Sequence, residues 1–101
     1  MSITVEFSGT VASIVLSGGI DYATQEEFKT ANKEALSAEG VTEINVDFAN
    51  ATFLDSSGIR ALIILKREAD STGKSLALMN CNENLQEIFE IGGFDRIFNI
   101  R

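Results

Sequence analysis

The feature that most constrains this chain is the spacing of its apolar residues, which changes repeatedly between a period of two and a period near 3.6. Ile3, Val5 and Phe7 alternate with polar residues, and so do Ile44, Val46 and Phe48. Alternation of this kind predicts half-buried strands, whereas spacings of three and four predict amphipathic helices. The changes of period predict the order β-β-α-β-α-β-α-β.

The individual elements are bounded by turn and capping residues. Strands are expected at residues 3–7, 11–17, 44–48, 76–79 and 97–100. Helices are expected from a cap at Asp21 or Thr24 to about residue 38, from 59 to about 70, and from 83 to 91. The glycine pair at 18–19 is expected to end the second strand, and residues 50–52 are expected to form a loop.

Strands that alternate with helices indicate an α/β fold in which parallel strands are joined by helical crossovers. The initial hairpin makes the sheet mixed but mostly parallel. Because the third strand alternates rather than being apolar throughout, the helices are expected mainly on one face of the sheet. A length of 101 residues suits one domain that spans residues 1–101.

Composition excludes several classes of function. The net charge of −7, from eight basic and fifteen acidic residues, disfavours nucleic acids and anionic membranes as partners. The chain has no histidine and one cysteine, Cys81, so His-assisted nucleophiles, internal disulfides and multi-thiolate zinc sites are excluded. We expect no metal and no cofactor. No signal peptide and no apolar run of about 18 residues is evident, which predicts a cytoplasmic protein without direct membrane insertion.

The third strand leads into Asp55, Ser56, Ser57 and Gly58, at the predicted start of a helix. A helix start offers unpaired N–H groups and a partial positive charge, which favour a phosphate group. A phosphate on Ser56 would also meet repulsion from Asp55, and a partner surface that accepts a hydroxyl would reject the dianion. The simpler interpretation is that these residues only cap the helix, since Ser and Asp are common caps.

This segment and three others resemble a known family. The matching segments are Val46-Asp47-Phe48, residues 53–59, residues 16–21 and residues 85–98. In this order they resemble the STAS domain, and the bacterial anti-sigma factor antagonists in particular. The resemblance covers essentially the whole chain.

The resemblance implies a switch. The unphosphorylated antagonist would bind an ATP-binding anti-sigma factor serine kinase, which would release a sigma factor. Phosphorylation on Ser56 by that kinase would end binding, and a serine phosphatase would reset it. The resemblance implies no catalytic role for this chain and favours a monomer. The expected partner-binding residues are Asp21, Tyr22, Asp55, Ser56, Ser57, Gly58 and Ile59.

Two features leave alternatives. Many family members carry an acidic residue where this chain has Gly19, which affects the identity of the kinase. Related domains also serve as subunits of lipid-transport ATPase assemblies, which is the alternative function. Tyr22 is either an apolar staple for the first helix or an exposed contact beside Asp21.

The remaining candidate sites have simpler interpretations. Residues 72–75 read Thr-Gly-Lys-Ser, the end of a phosphate-binding loop, but Glu68 stands where that loop needs its first glycine. Cys81 lacks basic neighbours in sequence and is expected to be a packing residue. Asp47 is expected to point outward from a strand and Asp55 to cap a helix, so they are not expected to form an acid–base pair. Phe94 and Phe98 are expected to close the core.

Overall fold

A computed structural model describes residues 2–101 of the chain. Five strands, three α-helices and one short 3₁₀ helix follow one another in the predicted order. They are β1 (Ser2–Ser8), β2 (Val11–Ile20), α1 (Gln25–Ser37), β3 (Glu43–Leu54), α2 (Ser56–Ser71), β4 (Ser75–Met79), α3 (Glu83–Ile91), the 3₁₀ helix (Phe94–Arg96) and β5 (Asn99–Ile100).

The strands form one sheet in the order β1-β2-β3-β4-β5. The β1–β2 pair is antiparallel, and the three remaining pairs are parallel. The predicted hairpin and the mixed, mostly parallel sheet are therefore confirmed. Each parallel pair is joined through a helix, as parallel pairing requires.

Two predicted strand ends are wrong. Strand β2 does not stop at Gly18 but continues to Ile20, and β3 runs through residues 50–52 to Leu54. The register of β2 against β3 shifts between Val15 and Ser17, and again between Gly18 and Gly19. Gly18 still pairs with Ala51 of β3, and its φ of 89° lies in the region that glycine adopts without strain, so tertiary context overrides the local turn signal.

Other boundaries differ less. Thr24 rather than Asp21 is the residue before α1, and the helix ends at Ser37. The predicted last strand is shorter, because only Asn99–Ile100 pairs with β4.

The core lies on the face of the sheet that the helices cover. Ile14, Val46 and Leu78 point to this face from successive strands and are fully buried. Alternate residues such as Ser13 and Asn45 point to the other face and are partly exposed. The predicted one-sided packing is confirmed.

Three phenylalanines join α3 and the last segment to the sheet. The ring of Phe89 lies 6.2 Å from that of Phe48, centroid to centroid, in an edge-on arrangement, and 6.2 Å from that of Phe98. Edge-on and tilted pairs at this spacing are favourable beyond their buried area. Phe98 is buried and Phe94 packs against the core at its edge, so both close the core as predicted.

We predict that Phe89→Ala lowers the free energy of unfolding by about 3–5 kcal/mol, because it removes a fully buried ring and leaves a cavity. Urea unfolding followed by circular dichroism measures the change. The control is Ile91→Ala on the same helix, at a position 80% exposed, which should change stability by less than about 0.5 kcal/mol. Equal losses for both variants would contradict this account of the core.

Asn32 is a polar exception in the core. It lies on α1 with 5% of its surface exposed, and its Oδ1 has no hydrogen-bond partner within residues 2–101. It borders a cavity of about 140 Å³ between α1 and α2, lined also by Leu36, Ala61 and Leu65. Leu36, on the same helix, is only half-buried.

We predict that Asn32→Leu raises the free energy of unfolding by about 1–3 kcal/mol, since the replacement removes an unsatisfied buried carbonyl and keeps a similar volume. Thermal and urea unfolding provide the measurement. The reverse result, a loss of stability, would show that the amide hydrogen-bonds to something inside the cavity.

Candidate functional site

The candidate site lies where the two central strands end side by side. Ile20, the last residue of β2, pairs with Leu54, the last residue of β3. The backbone N–H of Asp55 donates to the carbonyl of Ile20 at 3.0 Å, one residue beyond the end of β3. Asp21 and Asp55 therefore follow neighbouring strands at the same edge of the sheet.

Asp55 caps helix α2 as predicted. Its backbone is extended, with φ −93° and ψ −174°. Its Oδ1 accepts hydrogen bonds from the N–H groups of Ser57 at 2.9 Å and Gly58 at 3.2 Å. The Ile59 N–H donates to the Asp55 carbonyl at 3.0 Å. One carboxylate thus satisfies two of the N–H groups that a helix start leaves unpaired.

Gly58 permits α2 to begin close to the sheet. A Cβ atom at this position would contact Leu54 Cδ1, and it would come within 2.9 Å of Ile20 Cγ2. Both contacts are too short for a real side chain. The glycine of the motif therefore has a packing role, which brings the helix start against the ends of β2 and β3.

The carboxylate of Asp21 makes hydrogen bonds within a local turn. Its Oδ1 accepts from the Thr24 N–H at 3.1 Å and from the Thr24 hydroxyl at 3.1 Å. The Asp21 N–H donates in return to Thr24 Oγ1 at 3.0 Å. These reciprocal bonds hold the segment between β2 and α1, so the carboxylate positions its neighbours as well as adding charge.

Tyr22 and Ser56 project from this framework. Tyr22 is 77% exposed, which supports its interpretation as an exposed contact and rules out the staple. Ser56 is the first residue of α2 and is exposed, while Ser57 and Ile59 beside it are half-buried. Of the two serines, Ser56 is the more exposed.

The ring of Phe53 lies over Gly19. A Cβ atom on Gly19 would meet the ring of Phe53, which stands on the paired residue of β3. The ring is 44% exposed. The absence of a side chain at Gly19 thus allows an aromatic surface beside the site, a contact that the sequence analysis did not identify.

A surface groove extends from Ser56 along α2 to the 3₁₀ helix. Its volume is about 470 Å³, and its lining residues are Ser56, Ile59, Arg60, Ile63, Ile64, Arg67 and Phe94. Arg60 and Arg67 are the charged residues of this lining. The sequence analysis did not identify either arginine. The spacing of four between Ser56 and Arg60 nevertheless places these two residues on one face of a helix.

The other candidate residues lie outside this site. Cys81 is buried, and its burial raises the pKa of the thiol to about 11, so it stays protonated at neutral pH. The turn at 72–75 follows a helix and precedes a strand, as predicted. Asp47 accepts from the Ala49 N–H and from Asn80 Nδ2, within the sheet and away from Asp55.

Residues 2–101 contain no group of three or more Cys, Asp or Glu side chains placed to hold a metal ion. Over the same residues, every helix is too short or too polar to cross a lipid bilayer.

Several known proteins are similar to this chain. A STAS-domain containing protein of Pseudomonas aeruginosa is 29% identical over 92 residues, which are 91% of this chain and 89% of that protein. The solved structure of unphosphorylated SpoIIAA, an anti-sigma factor antagonist, covers 99% of this chain and 87% of its own, with a TM-score of 0.77 and 22% identity. An anti-sigma factor antagonist of Mycobacterium paratuberculosis covers 98% and 83%, with a TM-score of 0.86 and 18% identity.

The structural likenesses show a shared fold with the anti-sigma factor antagonists. The model of the STAS domain family matches residues 2–101, which is nearly the entire chain. The predicted family is thereby confirmed: this chain belongs to the STAS domain family.

Proposed function

We propose that this chain is a phosphorylation-controlled anti-sigma factor antagonist. In its unphosphorylated form it binds an anti-sigma factor serine kinase, and the kinase then releases a sigma factor. The observation that carries the proposal is the exposed Ser56 hydroxyl at the start of α2, in the setting of Asp55, Gly58 and the end of β2. The fold of SpoIIAA, solved in unphosphorylated and phosphorylated forms, supports it.

The partner kinase and phosphatase catalyse the two reactions of the switch. The kinase transfers the γ-phosphoryl group of ATP to Ser56 Oγ, and ADP and the hydroxyl proton are released. The phosphatase cleaves the phosphate from Ser56 with water and yields inorganic phosphate. This chain supplies a substrate hydroxyl held in a fixed position, since α2 is anchored to the sheet through Asp55 and Gly58.

The surface around Ser56 supplies the partner contacts. Tyr22 and Phe53 expose aromatic rings at the ends of β2 and β3, and Ile59 adds a half-buried apolar side chain. Aromatic residues of this kind are enriched at the centres of protein interfaces. With Asp21, Ser57 and Gly58 holding the backbone between them, they form a contact surface centred on the phosphorylated residue.

The negative charge of a phosphate on Ser56 ends binding to the kinase. A seryl phosphate carries about −1.5 to −2 charges at pH 7. The N–H groups of Ser57 and Gly58, which would otherwise stabilise it, already donate to Asp55. The dianion therefore stays at the surface next to a carboxylate, where it faces the docking partner and costs desolvation energy on binding.

We predict that Ser56→Asp abolishes capture of an ATP-binding serine kinase from native lysate of the source organism, whereas wild type and Ser56→Ala retain it. The added carboxylate imitates part of the phosphate charge. Immobilised proteins are exposed to lysate with an ATP analogue, and bound proteins are identified by mass spectrometry. Ser71→Asp, at an exposed serine at the other end of α2, is the matched control for added charge and should retain capture.

The outcomes separate the two functions. The switch is supported if Ser56→Asp loses capture of the kinase and if the captured kinase phosphorylates wild type but not Ser56→Ala. Equal capture of a transport ATPase by wild type and Ser56→Asp would overturn it in favour of the lipid-transport subunit.

Two substitutions of Asp55 separate the effect of its capping hydrogen bonds from the effect of its charge. Asp55→Ala should lower the free energy of unfolding by about 0.5–2 kcal/mol, whereas Asp55→Asn should keep most of the stability because asparagine caps equally well. Urea unfolding measures both. A large loss in Asp55→Asn would show that the carboxylate charge, rather than its hydrogen bonds, stabilises the helix start.

A further inference from the structure

Arg60 lies one helical turn from Ser56, and its guanidinium is not held by any side chain among residues 2–101. The ion pairs within residues 2–101 join Lys29 to Glu26 and Lys66 to Asp70. Arg60 takes part in neither, and its guanidinium makes no hydrogen bond within the same residues. Exposed and without a carboxylate, it is available to an anion.

The groove around Arg60 has the character of a docking surface for an acidic partner. Its floor is apolar, formed by Ile59, Ile63 and Phe94, and its charged lining residues are Arg60 and Arg67. The lining carries two basic and no acidic side chains, on a protein with a net charge of −7. Charge complementarity therefore favours a partner segment that carries carboxylates beside apolar side chains.

The same arginine is within reach of a phosphate on Ser56. Residues four apart on a helix face each other, and an acidic group placed before a basic one is the favourable order. Arginine binds phosphate through two parallel N–H donors. The N–H groups of Ser57 and Gly58 are engaged by Asp55, and of the two arginines that line the groove Arg60 is the nearer to Ser56 along the helix.

We propose that Arg60 exchanges between two anions: a carboxylate of the kinase when Ser56 is unmodified, and the phosphate of Ser56 when it is phosphorylated. Phosphorylation then acts twice, since it adds a repulsive charge and withdraws the cation that attracts the partner. This inference rests on the proposed function for its first half. Its second half concerns this chain alone.

The test of the second half is a phosphate titration. The full chain is produced with phosphoserine incorporated at position 56 during translation, and its ³¹P NMR shift is followed from pH 5 to 8. We expect Arg60→Gln to raise the second pKa of the phosphate by ~0.3–0.7 units relative to the unsubstituted chain, because the nearby cation favours the dianion. Asp21 and Asp55, the acidic groups near Ser56, are unchanged in every variant.

Arg67→Gln is the matched control. It removes an arginine from the same groove, but Arg67 is eleven residues beyond Ser56, about 16 Å along the helix. Its phosphate pKa should equal that of the unsubstituted chain. The inference is overturned if Arg60→Gln also leaves the pKa unchanged, or if Arg67→Gln shifts it equally.

The test of the first half uses the kinase captured by the unphosphorylated chain. We expect Arg60→Gln to weaken binding about 5- to 20-fold and to reduce its dependence on salt. Unchanged affinity would overturn the exchange and leave the proposed function intact. Absence of kinase binding by wild type would overturn the proposed function, while the titration would still decide whether the phosphate binds Arg60.

Discussion

The parallel pairing of β2 with β3 is the constraint on which the rest of the structure depends. Parallel neighbours cannot be joined by a tight turn, so a helix must cross between them and cover the sheet. The same pairing brings their carboxyl ends to one edge, where Ile20 lies beside Leu54. The hydrogen bond from the Asp55 N–H to the Ile20 carbonyl extends this pairing into the start of α2. The candidate site is therefore a continuation of the sheet.

Most of the fold could be predicted because apolar spacing reflects which side chains face the core. Ile44, Val46 and Phe48, whose alternation predicts a half-buried strand, are all buried. The errors arise where distant residues decide local structure. Gly18 and Gly19 stay in a strand because β3 supplies their partners, and Asn32 is buried because α2 packs over it. Neither effect is visible in a local window of sequence.

The site was predictable where its contacts are local in sequence. Asp55 accepts hydrogen bonds from the residues two and three positions after it, so the cap follows from residue types and spacing alone. The contact between Phe53 and Gly19 depends on the register of β2 against β3. The predicted strands ended before both residues, so their pairing was not expected. Arg60 was overlooked for a different reason: its spacing from Ser56 was visible, but its lack of an internal ion pair emerges only from the packed structure.

The division of labour among the site residues has a consequence for evolution. Asp21, Asp55 and Gly58 build the framework through hydrogen bonds and close packing, whereas Tyr22, Ser56 and Arg60 extend from it into solvent. Substitutions in the second group leave the framework intact, so duplicated copies of such a gene are free to diverge in recognition without loss of folding. Under the proposed function, a few surface side chains would then be enough to keep parallel signalling circuits in one cell separate.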